Sequence, residues 1–286
     1  MTPRSETLLA GQYFLAVEGL ALIRNTLRYP ESCLPRVDEA RDIAAKFDEF
    51  PNSLAIPMIE HDVEEGYTKW SQIYDGPNPA IEGEEPVVHA ILAELPVGDA
   101  LDAACGTGRH AAHLATLGHR VIGVDGTDAM LAVARQKLPD VDLRNGRLED
   151  LPVDDACVDL VTCALALTHV PDLEPVMREF ARVLRPGGTA VLSDMHPFNT
   201  IVGGGIAGFS GGDLGGGIPY VLNRTHLLSD YLRAFRSAGL SVADCIEVPM
   251  GPSQIERLPS FGLYPDASRE AYEDLPYLLI WRLQRL

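Results

Sequence analysis

Apolar residues along this chain alternate between short continuous runs and longer stretches with helical spacing, most regularly from residue 100 onward. A buried strand ends at Ala100-Leu101-Asp102, and a turn of small residues follows, Ala103-Ala104-Cys105-Gly106-Thr107-Gly108. Ala111, Leu114, Ala115 and Leu117 then recur at helical spacing until Gly118 stops them. Val121, Ile122 and Val124 form a second strand that ends in a carboxylate, Asp125. This is a βαβ unit with glycines in its first turn and an acid at the tip of its second strand. The alternation continues through a helix at 127–138, a strand at 141–144, the loop 145–152, and a strand at 158–165 that is apolar throughout, as strands buried on both faces are. A helix at 173–184 stops at Arg185-Pro186-Gly187-Gly188 and a fifth strand at 189–193 follows. A helix at 229–238 and strands at 241–248 and 277–283 complete the pattern. The expected fold is α/β, a doubly wound seven-stranded sheet, mostly parallel with its last strand antiparallel.

Ahead of this core, residues 5–28 carry a broad apolar helical face closed by Pro30, and a second helical pattern runs from Pro35 to Phe47. Residues 1–58 are therefore expected to form a helical extension, either a cap over the substrate side or a homodimer surface, and residues 59–286 the main domain. The stretch 59–74 reads as a helix with Tyr67, Trp70 and Tyr74 on one face, suited to core packing or to closing over a ligand. A further helix spans 85–95. Between Gly203 and Gly217 lie nine glycines, so 199–220 is expected to be a mobile lid or a flexible insertion. No Lys or Arg falls within it, which argues against a phosphate cradle.

Charge narrows the partners. A formal net charge of −18 without a Lys/Arg cluster repels a polyanion, so nucleic acid is excluded as substrate. Five scattered cysteines, with no C-x-x-C pair, predict neither a disulfide framework nor a zinc site and fit a reducing cytoplasm. No signal-peptide pattern or ~18-residue apolar window is present, so neither export nor a membrane span is expected. No metal-ligand spacing is found.

Glycines that admit close backbone approach, helix amides, and an acid at the second strand tip suit an adenosine-bearing ligand. Gly106-x-Gly108-x-x-Ala111, with Asp125 at the ~20-residue offset, satisfies the dinucleotide fingerprint. Asp102 points elsewhere. The string Asp102-x-x-Cys105-Gly106-x-Gly108 resembles motif I of the class I S-adenosylmethionine (SAM)-dependent methyltransferases of the small-molecule type, the group that includes ubiquinone/menaquinone biosynthesis and many natural-product enzymes. A cationic sulfonium and ammonium need acceptors, whereas a pyrophosphate needs donors, so Asp102 favours SAM over NAD. Val124-Asp125 with Met130, Glu149-Asp150-Leu151-Pro152, and Leu184-Arg185-Pro186-Gly187-Gly188 extend the resemblance over about residues 67–283.

The resemblance implies a Rossmann-like fold and a set of cofactor contacts. Asp102 would lie near the amino end of the methionine, Ala104, Cys105 and Gly106 would line the methionine and ribose, and the turn to Gly108 would lie against the sugar. Asp125 would accept the ribose hydroxyls, and Gly126 and Met130 would flank the adenine. Leu148 would offer its amide to the ring. Arg147 stands where many relatives carry an adenine-binding Asp, a part Glu149 could take over. Cys163 would lie near the methionyl group, or serve as a small buried residue, and Tyr67 would close over SAM. The string Ala164-Leu165-Ala166-Leu167 lacks the Asn/Asp-Pro-Pro-aromatic pattern of nucleobase methylation.

In-line transfer to oxygen or carbon needs a base, and histidine suits neutral pH. His169, His196 and His226 are the candidates, each with a structural alternative, and Asp194 is a candidate partner for His196. An amine acceptor would need none. The expected activity is methyl transfer from SAM to an O, N or C nucleophile of a small, natural-product substrate, with S-adenosylhomocysteine (SAH) as product. The rivals are a SAM-binding cyclase or binding protein that transfers no methyl group, and an NAD-dependent oxidoreductase.

Overall fold

A computed structural model describes residues 5–208 and 217–286. Two compact units are present. The smaller takes in the described residues up to His61, those of the segment Gly208–Tyr220, and Pro249–Pro276; the larger takes in Asp62–Ala207, Val221–Val248 and Tyr277–Leu286.

In chain order the elements begin with β1 (Ser5–Leu9), α1 (Ala10–Asn25), α2 (Leu34–Ala45), β2 (Ala55–His61), α3 (Val63–Trp70) and α4 (Pro79–Ala93). The core follows as β3 (Asp99–Ala103), α5 (Arg109–Thr116), β4 (Arg120–Asp125), α6 (Asp128–Lys137), β5 (Asp142–Asn145) and β6 (Val158–Ala164). After it come α7 (Leu173–Val183), β7 (Leu184–Met195), α8 (Pro197–Val202), β8 (Ile206–Gly208), β9 (Ile218–Leu222) and α9 (Leu228–Ser237). The chain ends with β10 (Leu240–Pro249), α10 (Pro252–Ile255), α11 (Pro265–Tyr272) and β11 (Pro276–Arg285).

The larger unit is built on a seven-stranded sheet in the order β10-β11-β7-β6-β3-β4-β5. β3 pairs in parallel with both β4 and β6, β4 with β5 and β6 with β7, while β11 runs antiparallel to β7. This is the doubly wound sheet expected. Strand order reverses between β3 and β6, so a crevice opens outside their carboxyl ends, where such sheets bind ligands. One face of the sheet packs Leu101, Val161 and Leu192 against Met177 and Phe180 of α7 and Tyr231 and Phe235 of α9. The other packs Ala100, Leu160, Val191 and Ile280 against Val88 and Leu92 of α4 and Leu114 of α5. Because both faces are covered, the central strands must be apolar runs.

A buried charge ties that second face to the sheet. Glu84 of α4, fully buried, accepts from Arg109 at 2.6 Å and from Ser193 at 2.8 Å, with His110 Nε2 at 3.1 Å. Burial alone would raise its pKa, but His110 and Arg109 hold the carboxylate down at about 2. Nearby, His89 stacks on His113 with ring centroids 3.5 Å apart. Burial, followed by His113, lowers the His89 pKa to about 4.

In the smaller unit β1 pairs antiparallel with β2, Phe14 lies on Tyr264 with centroids 5.2 Å apart, and Val17 and Ala21 of α1 pack on Ala267 and Ala271 of α11. Three expectations change. The helix expected from residue 5 starts at Ala10, because Ser5–Leu9 find ladder partners in β2 fifty residues away. The helix expected over 59–74 starts at Val63, with the Asp62 side chain accepting from Glu65 N as its cap, and Ile59–His61 belong to β2. Within 199–220, Pro197–Val202 is helix and Ile206–Gly208 and Ile218–Leu222 are strands, so these flanks are not free loop; the lid expected at the centre, 209–216, lies outside the described residues. Among the described residues no helix is long and apolar enough to cross a membrane.

The Glu84 and His89 shifts act in the same direction. A carboxylate depressed from 4.5 to about 2 contributes stability above pH 4.5 that is lost as pH falls toward 2. A histidine depressed from 6.5 to about 4 loses stability as pH falls from 6.5 toward 4. Glu84→Gln is expected to cost the sheet unit about 3 kcal/mol at pH 7, because it leaves Arg109 and His110 without their buried anion. The gap should narrow below pH 4, as read by urea unfolding at a series of pH values.

Candidate functional site

At the carboxyl end of β3 the chain reverses through Ala104 and Gly106 into Gly108, with φ values of 57°, 54° and 86°. Gly108 has no room for a side chain: a Cβ there would lie 2.7 Å from Leu138 Cδ1. Two aspartates hold this turn. Asp102, buried, accepts from Ala111 N at 2.8 Å at the start of α5 and from Thr162 Oγ1 of β6 at 3.0 Å. Asp125, at the tip of β4, accepts from Gly106 N and Thr127 N, both at 2.8 Å.

A cavity of about 360 Å³ opens above these groups. Its floor is Ala104, Gly106 and Asp125; Gly126, Thr127 and the loop Gly146–Glu149 form one wall, and Ala164, Leu165, Ala166, His169, Val170 and Pro171 another. Tyr74 and the first turns of α3, with Asp62, Val63, Glu64 and Tyr67, complete it. Ala104 and Leu165 hold left-handed backbone at the cavity wall, with φ of 57° and 54°. Such non-glycine residues carry about 1 kcal/mol of strain each, kept here at the ligand edge.

Tyr67 Oη lies 2.7 Å from His169 Nε2, and the Tyr67 ring is flanked by Trp70, Tyr74 and His169 at centroid distances of 5.3, 5.9 and 5.3 Å. Burial lowers the His169 pKa to about 4, leaving a neutral imidazole throughout the physiological range. Burial also pushes the Tyr67 hydroxyl well up, with Tyr74, Asp125 and Asp194 adding to it.

Asp194, at the end of β7, accepts from Met195 N at 2.8 Å and Tyr231 Oη at 3.0 Å, and from both the amide and the hydroxyl of Thr168. It thereby anchors the turn that carries His169. Burial raises its pKa to about 7, against those hydrogen bonds. Burial likewise raises Asp102 and Asp125, and the Cys163 thiol, pushed up by burial, also feels Asp194, Asp102 and Asp125. All three carboxyl groups lie within electrostatic reach of Cys163, and of the three Asp125 lines the cavity.

Of the residues expected from sequence, Tyr67, Ala104, Gly106, Asp125, Gly126, Leu148, Glu149 and His169 line the cavity. Asp102, Cys105, Gly108, Met130 and Cys163 do not; they are buried off the cavity. His196 and His226 stand off it too. His196 caps α8, accepting from Phe198 N at 3.1 Å, and its Nε2 meets Glu247 at 2.9 Å; Asp194, the partner considered for it, is bonded to Tyr231 and Thr168 instead. His226 Nε2 donates to the Val170 carbonyl at 3.0 Å. Asp62, Val63, Glu64 and Leu165 join the wall without having been singled out, since only the packing of α3 and the turn after β6 bring them there. Among the described residues no His, Cys, Asp and Glu group could hold a metal ion.

A family model described as "Methyltransferase domain" matches residues 101–192. The chain is similar to the demethylmenaquinone methyltransferase of Chlorobaculum tepidum, 39% identical over 104 residues, covering 36% of this chain and 43% of that protein. It is also similar to the malonyl-[acyl-carrier protein] O-methyltransferase of Yersinia pestis, 41% identical over 95 residues, covering 33% of this chain and 36% of that protein. The matched region thus spans less than half the length of either relative. Among solved structures, a SAM-dependent methyltransferase from Mesorhizobium loti superimposes with a TM-score of 0.52 at 23% identity, covering 71% of this chain and 98% of that one.

A carboxyl raised from 3.8 to about 7 binds its proton more tightly in the folded chain, so its contribution to stability is complete below pH 3.8 and is lost as pH rises through 7. Asp194→Asn cannot ionise. The difference in unfolding free energy is expected to move in favour of the Asn variant between pH 4 and pH 8; the opposite trend would show that Asp194 is held as a stabilised anion.

Proposed function

We propose that this chain, which carries a class I SAM-dependent methyltransferase domain, transfers the SAM methyl group to a nucleophile of a small-molecule substrate, a natural product in the first instance. The observation that carries the proposal is Asp125 on the cavity floor with Asp102 buried at the end of the adjacent strand, both hydrogen-bonded by neutral donors only. Such a floor attracts a sulfonium and an ammonium and repels a pyrophosphate. SAM fits the residues present, and NAD does not.

When bound, the cofactor supplies an electrophilic methyl group on a sulfonium. Asp125 would accept the ribose hydroxyls with the lone pairs left over from Gly106 and Thr127. The turn at Ala104–Gly106 lets the backbone approach the sugar, and Leu148 and Glu149 would meet the base. On the acceptor side, Ala164, Leu165, Ala166 and Val170 offer apolar contact and exclude water, while Asp62 and Glu64 disfavour phosphorylated substrates. His169 would take the proton of a hydroxyl or acidic carbon acceptor; its low pKa keeps the imidazole unprotonated from pH 5 upward. For an amine, these residues need only orient the acceptor.

Calorimetric titration with SAM, SAH and NAD tests the cofactor. SAM and SAH should bind and NAD should not. Asp125→Ala should weaken SAH by about 100-fold, the loss of two hydrogen bonds to a charged acceptor. NAD binding in their place would overturn the proposal. A panel of phenols, amines and carbon acids, followed by SAH release, then tests transfer: His169→Gln should lower the rate on a hydroxyl acceptor by about 10²–10⁴-fold. SAM bound but never consumed, with every acceptor, would point to a non-methylating role.

A further inference from the structure

Tyr67 has a ring suited to covering a cofactor, but its hydroxyl engages the very nitrogen that a base must use. Tyr67 Oη and His169 Nε2 are at hydrogen-bond distance, 2.7 Å, with the rings edge to face at 73°. Separate structures hold the two partners. Trp70, fully buried, sits one turn along α3 from Tyr67, and at Gly66 the helix packs so closely that a Cβ would come within 2.5 Å of Val221 Cγ1. Across the cavity, the Thr168 carbonyl accepts from Arg224 N at 2.7 Å while Asp194 holds the Thr168 amide and hydroxyl, so the turn bearing His169 is pinned on both sides.

The direction of the bond is set by which ring nitrogen of His169 carries the proton. His169 Nδ1 is buried without a hydrogen-bond partner among the described residues, whereas Nε2 lies 2.7 Å from Tyr67 Oη. With its proton on Nδ1, the neutral imidazole presents a lone pair at Nε2, and Tyr67 is the donor. In that tautomer an acceptor substrate meets a base whose lone pair is already taken.

We propose that Tyr67 is a catalytic residue, a proton relay between the hydroxyl of the acceptor and His169. The inference rests on methyl transfer to oxygen as the reaction. In the step, the Tyr67 O–H proton passes to His169 Nε2 as the phenolic oxygen takes the proton of the acceptor hydroxyl. The acceptor oxygen forms its bond to the methyl carbon as that carbon's bond to sulfur breaks, and the electron pair of the broken bond stays on sulfur. The products are the methylated acceptor, SAH and an imidazolium, which returns its proton to water. Tyr67 ends as it began. Positive charge leaves sulfur as it appears on His169, so the net charge in the cavity is conserved. Because burial disfavours a tyrosinate, the two proton transfers occur together.

Two measurements test the relay. In ¹⁵N-resolved NMR of wild type, free and saturated with SAH, His169 should be in the Nδ1–H form, and Tyr67→Phe should shift the Nε2 resonance while changing SAH affinity less than threefold. The Nε2–H form, in which the imidazole donates to Tyr67, overturns the relay. A large loss of SAH affinity in the Phe variant with an unchanged His169 resonance leaves Tyr67 a cofactor cover, and also overturns it. Kinetics on a series of substituted phenols supplies the second readout. Tyr67→Phe, His169→Gln and the double variant should lower kcat to a common level with KM for SAM unchanged, whereas additive losses overturn the relay. If SAH binds and the Nδ1–H form is present but no phenol is methylated, the relay geometry stands and oxygen methylation fails instead.

Discussion

The carboxylate of Asp125 between two backbone amides is the constraint on which the site depends. By accepting from Gly106 and Thr127 it fixes the end of one strand against the turn that follows another and against the start of α6. Asp102 performs the matching task one strand over, joining β3 and β6 to the first turn of α5. Between them the two side chains hold open a crevice whose backbone is left-handed at Ala104, Gly106 and Gly108 and would otherwise relax. The donors are mostly amides, which orient a carboxylate without neutralising it.

That distinction separates the buried acids of the larger unit into two kinds. Glu84 is bonded to Arg109 and His110, and its charge is satisfied within the fold; it holds α4 and α5 against β7 and sits far below the usual carboxylate range. Asp125 and Asp194 are bonded to neutral partners, and burial lifts both. Carboxylates buried with hydrogen bonds but without a cation create a demand that a ligand can meet. Asp125 lines the same cavity as the Tyr67–His169 couple, so cation binding and proton removal share one space.

Histidine chemistry illustrates how packing assigns roles. His196 is occupied as a helix cap and by Glu247, and His226 is spent on the Val170 carbonyl. His169 lines the cavity with Nε2 against the Tyr67 hydroxyl, and burial keeps the imidazole uncharged. The resemblance ranks His169 first because it follows the fourth core strand, but the local sequences alone do not say which histidine is tied up elsewhere. The separation arises from which loop lands beside α3.

What the chain determines by itself is the part written in local periodicity and turn chemistry. The βαβ unit, the acids at Asp102 and Asp125, the glycine turn and the doubly wound alternation of strands and helices were legible because a strand covered on both faces must be an apolar run and a reversal this tight requires small residues. Tertiary structure alone decided the rest. Ser5–Leu9 became a strand because β2 supplied a ladder, and α11 formed where Ala267 and Ala271 met α1, although such small residues leave no apolar stripe to read. Tyr67 reached His169 across 102 residues of sequence, and Asp194 reached Tyr231 across 37. Contacts of that kind depend on where separate elements come to rest in space, and the spacing of residues along one element carries no record of it.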